Sequence, residues 1–328
     1  MNPDRSELVI AFVGAVGVDL LMVENKVKAQ LEEFGYTVEC IRVSTDVIPL
    51  LDPSVNEGSN LCQFDRIDRL MTAGTNAREK KTDILALGIA KCIREKREKG
   101  ASAKVAYLIR SLKHPDEVRK LRELYPRGFY LFGVYAPGEV RKNNLIHQKC
   151  MNPEQADRLM KRDAKESSKH GQQVVDTFHL SDFFVGWSKE EKRIQEAIVR
   201  FVDIIFGHPY RTPTFGEYAM HLAFTSSLRS ADLSRQVGAV IARDGEILSL
   251  GANDCPKFGG GLYWPEYDDL SKSIVDLEKG RDWKRGGDSN REEQIILAER
   301  IFDKCKASIP SGSHDALMSA LRSRILVL

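Results

Sequence analysis

Leu8-Val9-Ile10-Ala11-Phe12-Val13 is an unbroken apolar run ending on Gly14. Such a run predicts a strand buried on both faces, where alternation would predict a half-solvated one. The spacing then predicts a helix over 20–34, closed by Gly35, and a second strand over 37–43. Strand, glycine loop, helix and strand in this order open a parallel α/β sheet. The pattern continues with a helical segment over 65–99 stopped by Gly100, a buried strand over 104–109, a helix over 115–125 and a strand over 129–134. A charged helix over 154–168, a short strand-like segment within 177–185 and a helix over 189–206 complete a first domain, assigned to residues 1–208.

Two prolines in His208-Pro209-Tyr210-Arg211-Thr212-Pro213-Thr214 mark a linker into a second domain, assigned to 209–328. There the pattern predicts an amphipathic helix over 217–228. Strands over 236–242 and 246–251 are expected to pair around Asp244-Gly245, a dipeptide suited to a two-residue hairpin turn. Residues 256–290, rich in Gly, Asp and Lys, read as a looped-out stretch before a helix over 292–307. No repeat of fixed period runs through the chain.

Composition narrows the class. Apolar residues are 42% and charged residues 29% of the 328, which supplies two ordinary cores and excludes global disorder. Lys and Arg total 49 against 47 Asp and Glu, so a formal charge of +2 argues against a dedicated nucleic-acid coat protein. The start is polar and no stretch approaches the ~20 apolar residues of a membrane span, so neither a signal peptide nor a membrane partner is expected. Six scattered cysteines without a C-x-x-C pair read as free thiols, and the expected location is the cytoplasm.

Candidate chemistry begins at Gly14-Ala15-Val16-Gly17-Val18-Asp19. Glycines there admit a phosphate to the helix start, where free N–H groups and the helix dipole favour an anion. The Walker pattern is not met: no Lys or Ser/Thr follows Gly17, and Asp19 stands near the place of the Lys. The loop is either a phosphate site without kinase chemistry or a tight turn with no ligand. Arg110 and Lys113 follow the 104–109 strand at the carboxyl edge where α/β sheets bind ligands, and they read as phosphate contacts or as flanks of an ordinary helix start. Arg158 and Arg162, four apart on the charged helix, read as a phosphate-closing lid or as a solvated face.

The second domain carries an ordered set of motifs: a helix leading into Leu228-Arg229-Ser230, then Arg235-Gln236-Val237-Gly238-Ala239-Val240-Ile241, then Gly251-Ala252-Asn253 and Pro256. The set resembles the opening helix and first two strands of a deoxycytidylate deaminase. With the degenerate P-loop domain before it, the chain resembles the bacterial antiphage dCTP/dCMP deaminases, over Glu7–Leu20, Ser111–Arg122, Thr177–Phe184 and Glu217–Trp264. The resemblance implies an α/β P-loop kinase-like domain, followed by part of a cytidine-deaminase-like α/β domain. It implies conversion of deoxycytidine to deoxyuridine nucleotides in antiviral defence, Zn²⁺ in intact members, and in some of them restraint by a small RNA. It places Asn253 against the sugar, and Arg229 with Ser230 near the phosphate. On the residues alone, Asn253 could equally be a left-handed turn residue and Arg229 a partner of Asp232. Gly259-Gly260-Gly261 would form a loop over a site or a flexible insertion.

One departure dominates. Zinc deaminases need H-x-E and P-C-x-x-C to hold the metal and shuttle protons. None of the seven histidines begins H-x-E: His221 precedes Leu222-Ala223 and His314 precedes Asp315-Ala316. P-C-x-x-C is absent as well. In the resembled family the zinc helices follow a segment like Ala320-Leu321-Arg322-Ser323-Arg324-Ile325-Leu326, so a truncated and inactive member without its own cofactor is expected. Alternatives are a nucleotide-binding regulatory module that partners a full-length deaminase, or a small-nucleotide kinase. The sequence leaves open the ligand of each domain, a homo-oligomer, and whether Leu328 is the natural end.

Overall fold

A computed structural model describes residues 6–56, 62–99, 103–164, 171, 173–187, 190–305 and 319–320. By internal contacts the chain divides into two compact units, Met1–Arg211 and Thr212–Leu328.

The first unit opens with β1 (Ser6–Gly14), α1 (Leu20–Glu33) and β2 (Thr37–Arg42). A π-type turn, Val43–Val47, runs into one turn of helix, α2 (Ile48–Leu51). There follow α3 (Gln63–Lys80), α4 (Ile84–Lys99), β3 (Lys104–Arg110), α5 (Pro115–Leu124) and β4 (Phe129–Tyr135). Then come α6 (Gly138–His147), α7 (Pro153–Ala164), α8 (Val174–Phe178), β5 (Phe183–Gly186) and α9 (Glu191–Ile205). The five strands form one parallel sheet in the order β2-β3-β1-β4-β5.

The apolar run of β1 is explained by this order. As the central strand, with Val9 opposite Tyr107 on one side and Phe129 on the other, it has no solvent face. Its odd-numbered side chains Val9, Ala11 and Val13 join a core with Leu85, Ile89 and Ile93 of α4 and Val118 and Leu121 of α5. Its even-numbered ones, Leu8, Ile10 and Phe12, join Val23, Val27 and Leu31 of α1 and Ile194, Ile198 and Phe201 of α9. Each such side chain contributes about 1.5–3 kcal/mol by leaving water. Helices on both faces are what a parallel sheet requires. A third apolar cluster joins Phe64 and Met71 of α3 to Leu145 of α6 and to Met151, Ala156 and Leu159 in and before α7.

The second unit starts with α10 (Phe215–Ser227), whose N-cap is Thr214 in a capping box with Glu217. The hairpin β6 (Gly238–Arg243) and β7 (Glu246–Ala252) turns through Asp244 and Gly245 at φ +51° and +83°, the left-handed pair a type I′ turn needs. A second small ribbon, β8 (Glu266–Asp268) and β9 (Ser273–Val275), precedes α11 (Asp282–Arg285) and α12 (Ser289–Cys305).

Several expectations need correction. The helix expected over 65–99 is two helices, because Lys81 is extended (φ −161°) and ends α3. The short strand expected within 177–185 is β5, but α8 before it was not expected. Val43 belongs to the π-type turn, not to β2, and α6 was not anticipated. The 256–290 stretch contains β8, β9 and α11. The helix stop at Gly100, the helix end at 165–168, Lys189, His314 and positions 321–326 lie outside the described residues.

Candidate functional site

The glycine loop closes the carboxyl end of β1. Val18 N–H bonds Ala15 O at 3.0 Å, and Gly17 takes φ +87°. A Cβ on Gly17 would lie 2.5 Å from Arg141 O, so α6 packs directly on the loop, and Asn144 Nδ2 donates to Gly17 O at 3.0 Å. Asp19 serves as N-cap of α1, accepting the Met22 N–H at 3.1 Å. A carboxylate that caps a helix start is placed by backbone geometry, which is the local reason for Asp where a kinase carries a cation.

Lys113 reaches the loop from the β3–α5 connection. Its Nζ donates to Gly14 O and to Asp163 Oδ1, both at 2.8 Å. Asp163, fully buried at the end of α7, accepts the Val16 N–H on Oδ2 at 2.6 Å. Beside the loop, Ser111 holds φ +80° while its N–H and that of Leu112 share Phe12 O at 3.1 Å. A non-glycine residue in that region costs about 1–3 kcal/mol and clusters at ligand sites.

A cavity of about 240 Å³ lies between the loop, the Val43–Val47 turn and α3, with Ser44, Arg66, Arg78, Ser111 and Lys113 in its wall. Arg78 is the residue sequence reasoning missed. Its side chain is 2% exposed, and its Nε and Nη2 both lie 2.8 Å from Glu117 Oε1. Glu117 Oε2 accepts the backbone N–H of Lys113 at 2.9 Å and of His114 at 3.3 Å. Arg78 Nη1 has no hydrogen-bond partner among the described residues. A buried guanidinium N–H without an acceptor is costly, so this one is a prospective ligand contact. A wider recess of about 480 Å³ flanks the loop on the side of Asp19, Arg110 and Asn144.

The other predicted residues have local partners. Arg110 is buried against Glu24, Nε to Oε2 3.1 Å, and burial pulls its pKa below the ordinary arginine value while Glu24 opposes the shift. Arg162 Nη1 donates to Asp68 Oδ1 at 2.7 Å, and Arg158 lies 3.7 Å from the same carboxylate and over the Phe64 ring. Both therefore tie α7 to α3.

Within the second unit, Arg229 donates to Tyr263 O at 2.9 Å and stacks 3.8 Å above the Trp264 ring, where pairing with Asp232 was one of two alternatives. Ser230 Oγ donates to Asn253 O at 2.5 Å. Asn253 accepts the Val237 N–H and donates to Arg235 O, and its backbone is not left-handed, which corrects the turn alternative. All three glycines 259–261 take positive φ. A cavity of about 450 Å³ borders Asn253, Cys255, Asp282 and Arg285. Among the described residues no three His, Cys, Asp or Glu side chains converge as a metal site. Among them, too, no helix is long and apolar enough to cross a membrane.

No protein-family model matches the chain. No curated protein matches it either. Solved structures similar to it include TT1252 from Thermus thermophilus, at 13% identity and TM-score 0.38, covering 60% of this chain and 97% of that one. Shikimate kinase from Bacteroides thetaiotaomicron aligns at 9% identity and TM-score 0.35, covering 61% and 98%. A gluconokinase from Sinorhizobium meliloti 1021 aligns at 15% and 0.33, covering 63% and 99%. None of these findings supports a deaminase family. The first unit is an α/β fold with a glycine loop at the carboxyl end of the central strand of a five-stranded parallel sheet.

Proposed function

We propose that the first unit binds a nucleotide or related phosphate-bearing small molecule in the cavity under the Gly14–Val18 loop, without transferring its phosphoryl group. The observation that carries this reading is Arg78, a buried guanidinium with one unpartnered nitrogen among the described residues, which together with that loop lines the cavity. The cavity lies at the carboxyl edge of the sheet, the usual ligand position in α/β folds. Arg66, at the rim, has no ion pair among the described residues and adds a second guanidinium. Phosphoryl transfer needs a cation that follows the moving charge. Asp19, the cap of α1, puts a carboxylate where such a cation is needed, so binding is favoured over turnover. Titration calorimetry with ATP and dNTPs tests this: heat of binding abolished by Arg66→Ala is expected, without ADP release. No heat at millimolar ligand would overturn the binding, and ATP turnover lost in Gly17→Val would establish a kinase.

A second reading concerns the second unit. It starts from the deoxycytidylate-deaminase resemblance of the sequence, two of whose motif residues, Ser230 and Asn253, are bonded to one another beside a cavity. The catalytic zinc motifs are absent from this sequence, so the unit would recognise or regulate without deaminating, alone or beside a full-length deaminase. Metal analysis and ammonia release from dCMP and dCTP test it: one tight zinc per chain would sink it.

A further inference from the structure

Asp163 stands where the glycine loop would hold a ligand's anion. Val16 N–H and Lys113 Nζ converge on its two carboxylate oxygens at 2.6 and 2.8 Å, and the side chain is wholly buried. An amide and an ammonium around an oxyanion are the groups that hold a phosphate. Here the chain supplies the oxyanion itself. Its position serves the loop and not the helix: Asp163 is in the last turn of α7, where the helix dipole disfavours a carboxylate. The body of α7 is anchored independently, with Ala156 and Leu159 in the Phe64–Met71 cluster. Undocking Asp163 therefore requires movement of the final turn, which Arg162 tethers to Asp68 through a flexible side chain.

We infer that Asp163 is a built-in competitor for the phosphate subsite, so that a ligand phosphate binds Val16 N–H and Lys113 by exchanging with this carboxylate. The inference rests on the reading of the loop as a phosphate site. It adds that affinity is set by two equilibria, the intrinsic contact and the release of Asp163. When the competent state is a minor fraction, apparent affinity falls by that fraction. Asp163→Asn keeps the shape and a carbonyl acceptor for Val16 N–H but removes the charge that holds Lys113, so the competitor weakens.

The full chain and Asp163→Asn are titrated with ATP, dCTP and inorganic tripolyphosphate, with thermal melts confirming that both fold. The variant is expected to bind tripolyphosphate and both nucleotides about tenfold or more tightly, the gain that follows when about nine-tenths of the protein is held closed. Hydrogen–deuterium exchange of residues 153–164 in the unaltered chain provides a readout that needs no variant. Saturating ATP is expected to raise exchange in the last turn of α7. Wild-type binding with equal or weaker binding by the variant, or α7 exchange unchanged by bound ATP, would overturn the competitor and leave the phosphate-loop reading intact. If neither protein binds any of the three probes, the phosphate-loop reading fails and takes the competitor with it.

Discussion

Arg78 of α3 and Glu117 of α5 form an ion pair sealed from water, with two guanidinium nitrogens on one carboxylate oxygen and two backbone N–H groups on the other. The carboxylate thus caps α5, fixes the Lys113 backbone beside the glycine loop and orients Arg78. Removing one partner strands the other charge in the core. Glu117→Ala is expected to cost about 3–5 kcal/mol, the range for breaking a buried pair, measured as a lowered urea midpoint. A loss below about 1 kcal/mol would place the pair among solvated surface bridges.

Gly17 and Gly35 separate backbone strain from steric contact. Both have positive φ, +87° and +78°, but a Cβ at Gly35 meets nothing within 4 Å, whereas at Gly17 it meets Arg141 O. Gly35→Ala is expected to cost about 1–2 kcal/mol from φ alone. Gly17→Ala adds an overpacking cost of about 1–3 kcal/mol. Denaturation of the two variants side by side gives the difference, and equal losses would show that α6 yields freely to the loop.

Gly74 sits inside α3, one turn before Arg78, where a Cβ would be 3.6 Å from Arg78 Nη1. That is ordinary contact, so Gly74→Ala is expected to stabilise the helix by up to about 1 kcal/mol. The same methyl covers the free Nη1, and nucleotide affinity measured by calorimetry is expected to fall several-fold. Higher stability with unchanged affinity would remove Arg78 from the binding surface.

Cys40 lies against Glu24, and its pKa is pushed up to about 11, first by burial of the thiol and then by that carboxylate. At pH 8 its thiolate fraction is then about a hundredfold below that of a thiol at the reference value of 9.0. Iodoacetamide labelling followed by peptide mapping is expected to modify the exposed Cys40 slowly at pH 8 and to accelerate as pH approaches 11. Rapid alkylation at pH 8 would show that Glu24 faces elsewhere.

The sheet was legible because its signals are local. Leu8 to Val13 announces a central strand, and Asp244-Gly245 announces a hairpin. Of the residues lining the cavity beneath the loop, Gly14, Gly17 and Lys113 can be picked out from the sequence, and Arg78 cannot. Arg78 begins the run Arg78-Glu79-Lys80-Lys81, which reads as a solvated helix end; its burial depends on Glu117, 39 positions later. Asp163 meets Val16 across 147 positions, in a helix whose charges resemble a surface. Neither pairing leaves a periodic trace. The break between α3 and α4 was hidden because Lys81-Thr82-Asp83 carries neither glycine nor proline, so only the extended backbone of Lys81 reveals it.

The central place of β1 also sets a schedule for synthesis. Its partners pair as Ser6 with Lys104 and Val9 with Phe129, so the strand emerges about a hundred residues before either neighbour. At roughly 5–20 residues per second, the Leu8–Val13 run waits on the order of 5–25 s without an edge to pair with. α1 is the first helix finished that can shield it, and it covers the Leu8, Ile10 and Phe12 side. The other side, Val9, Ala11 and Val13, stays open until α4 and α5 have formed. Translation pauses upstream of β3 would lengthen that exposure and raise the demand for chaperones, while leaving the stability of the finished sheet unchanged.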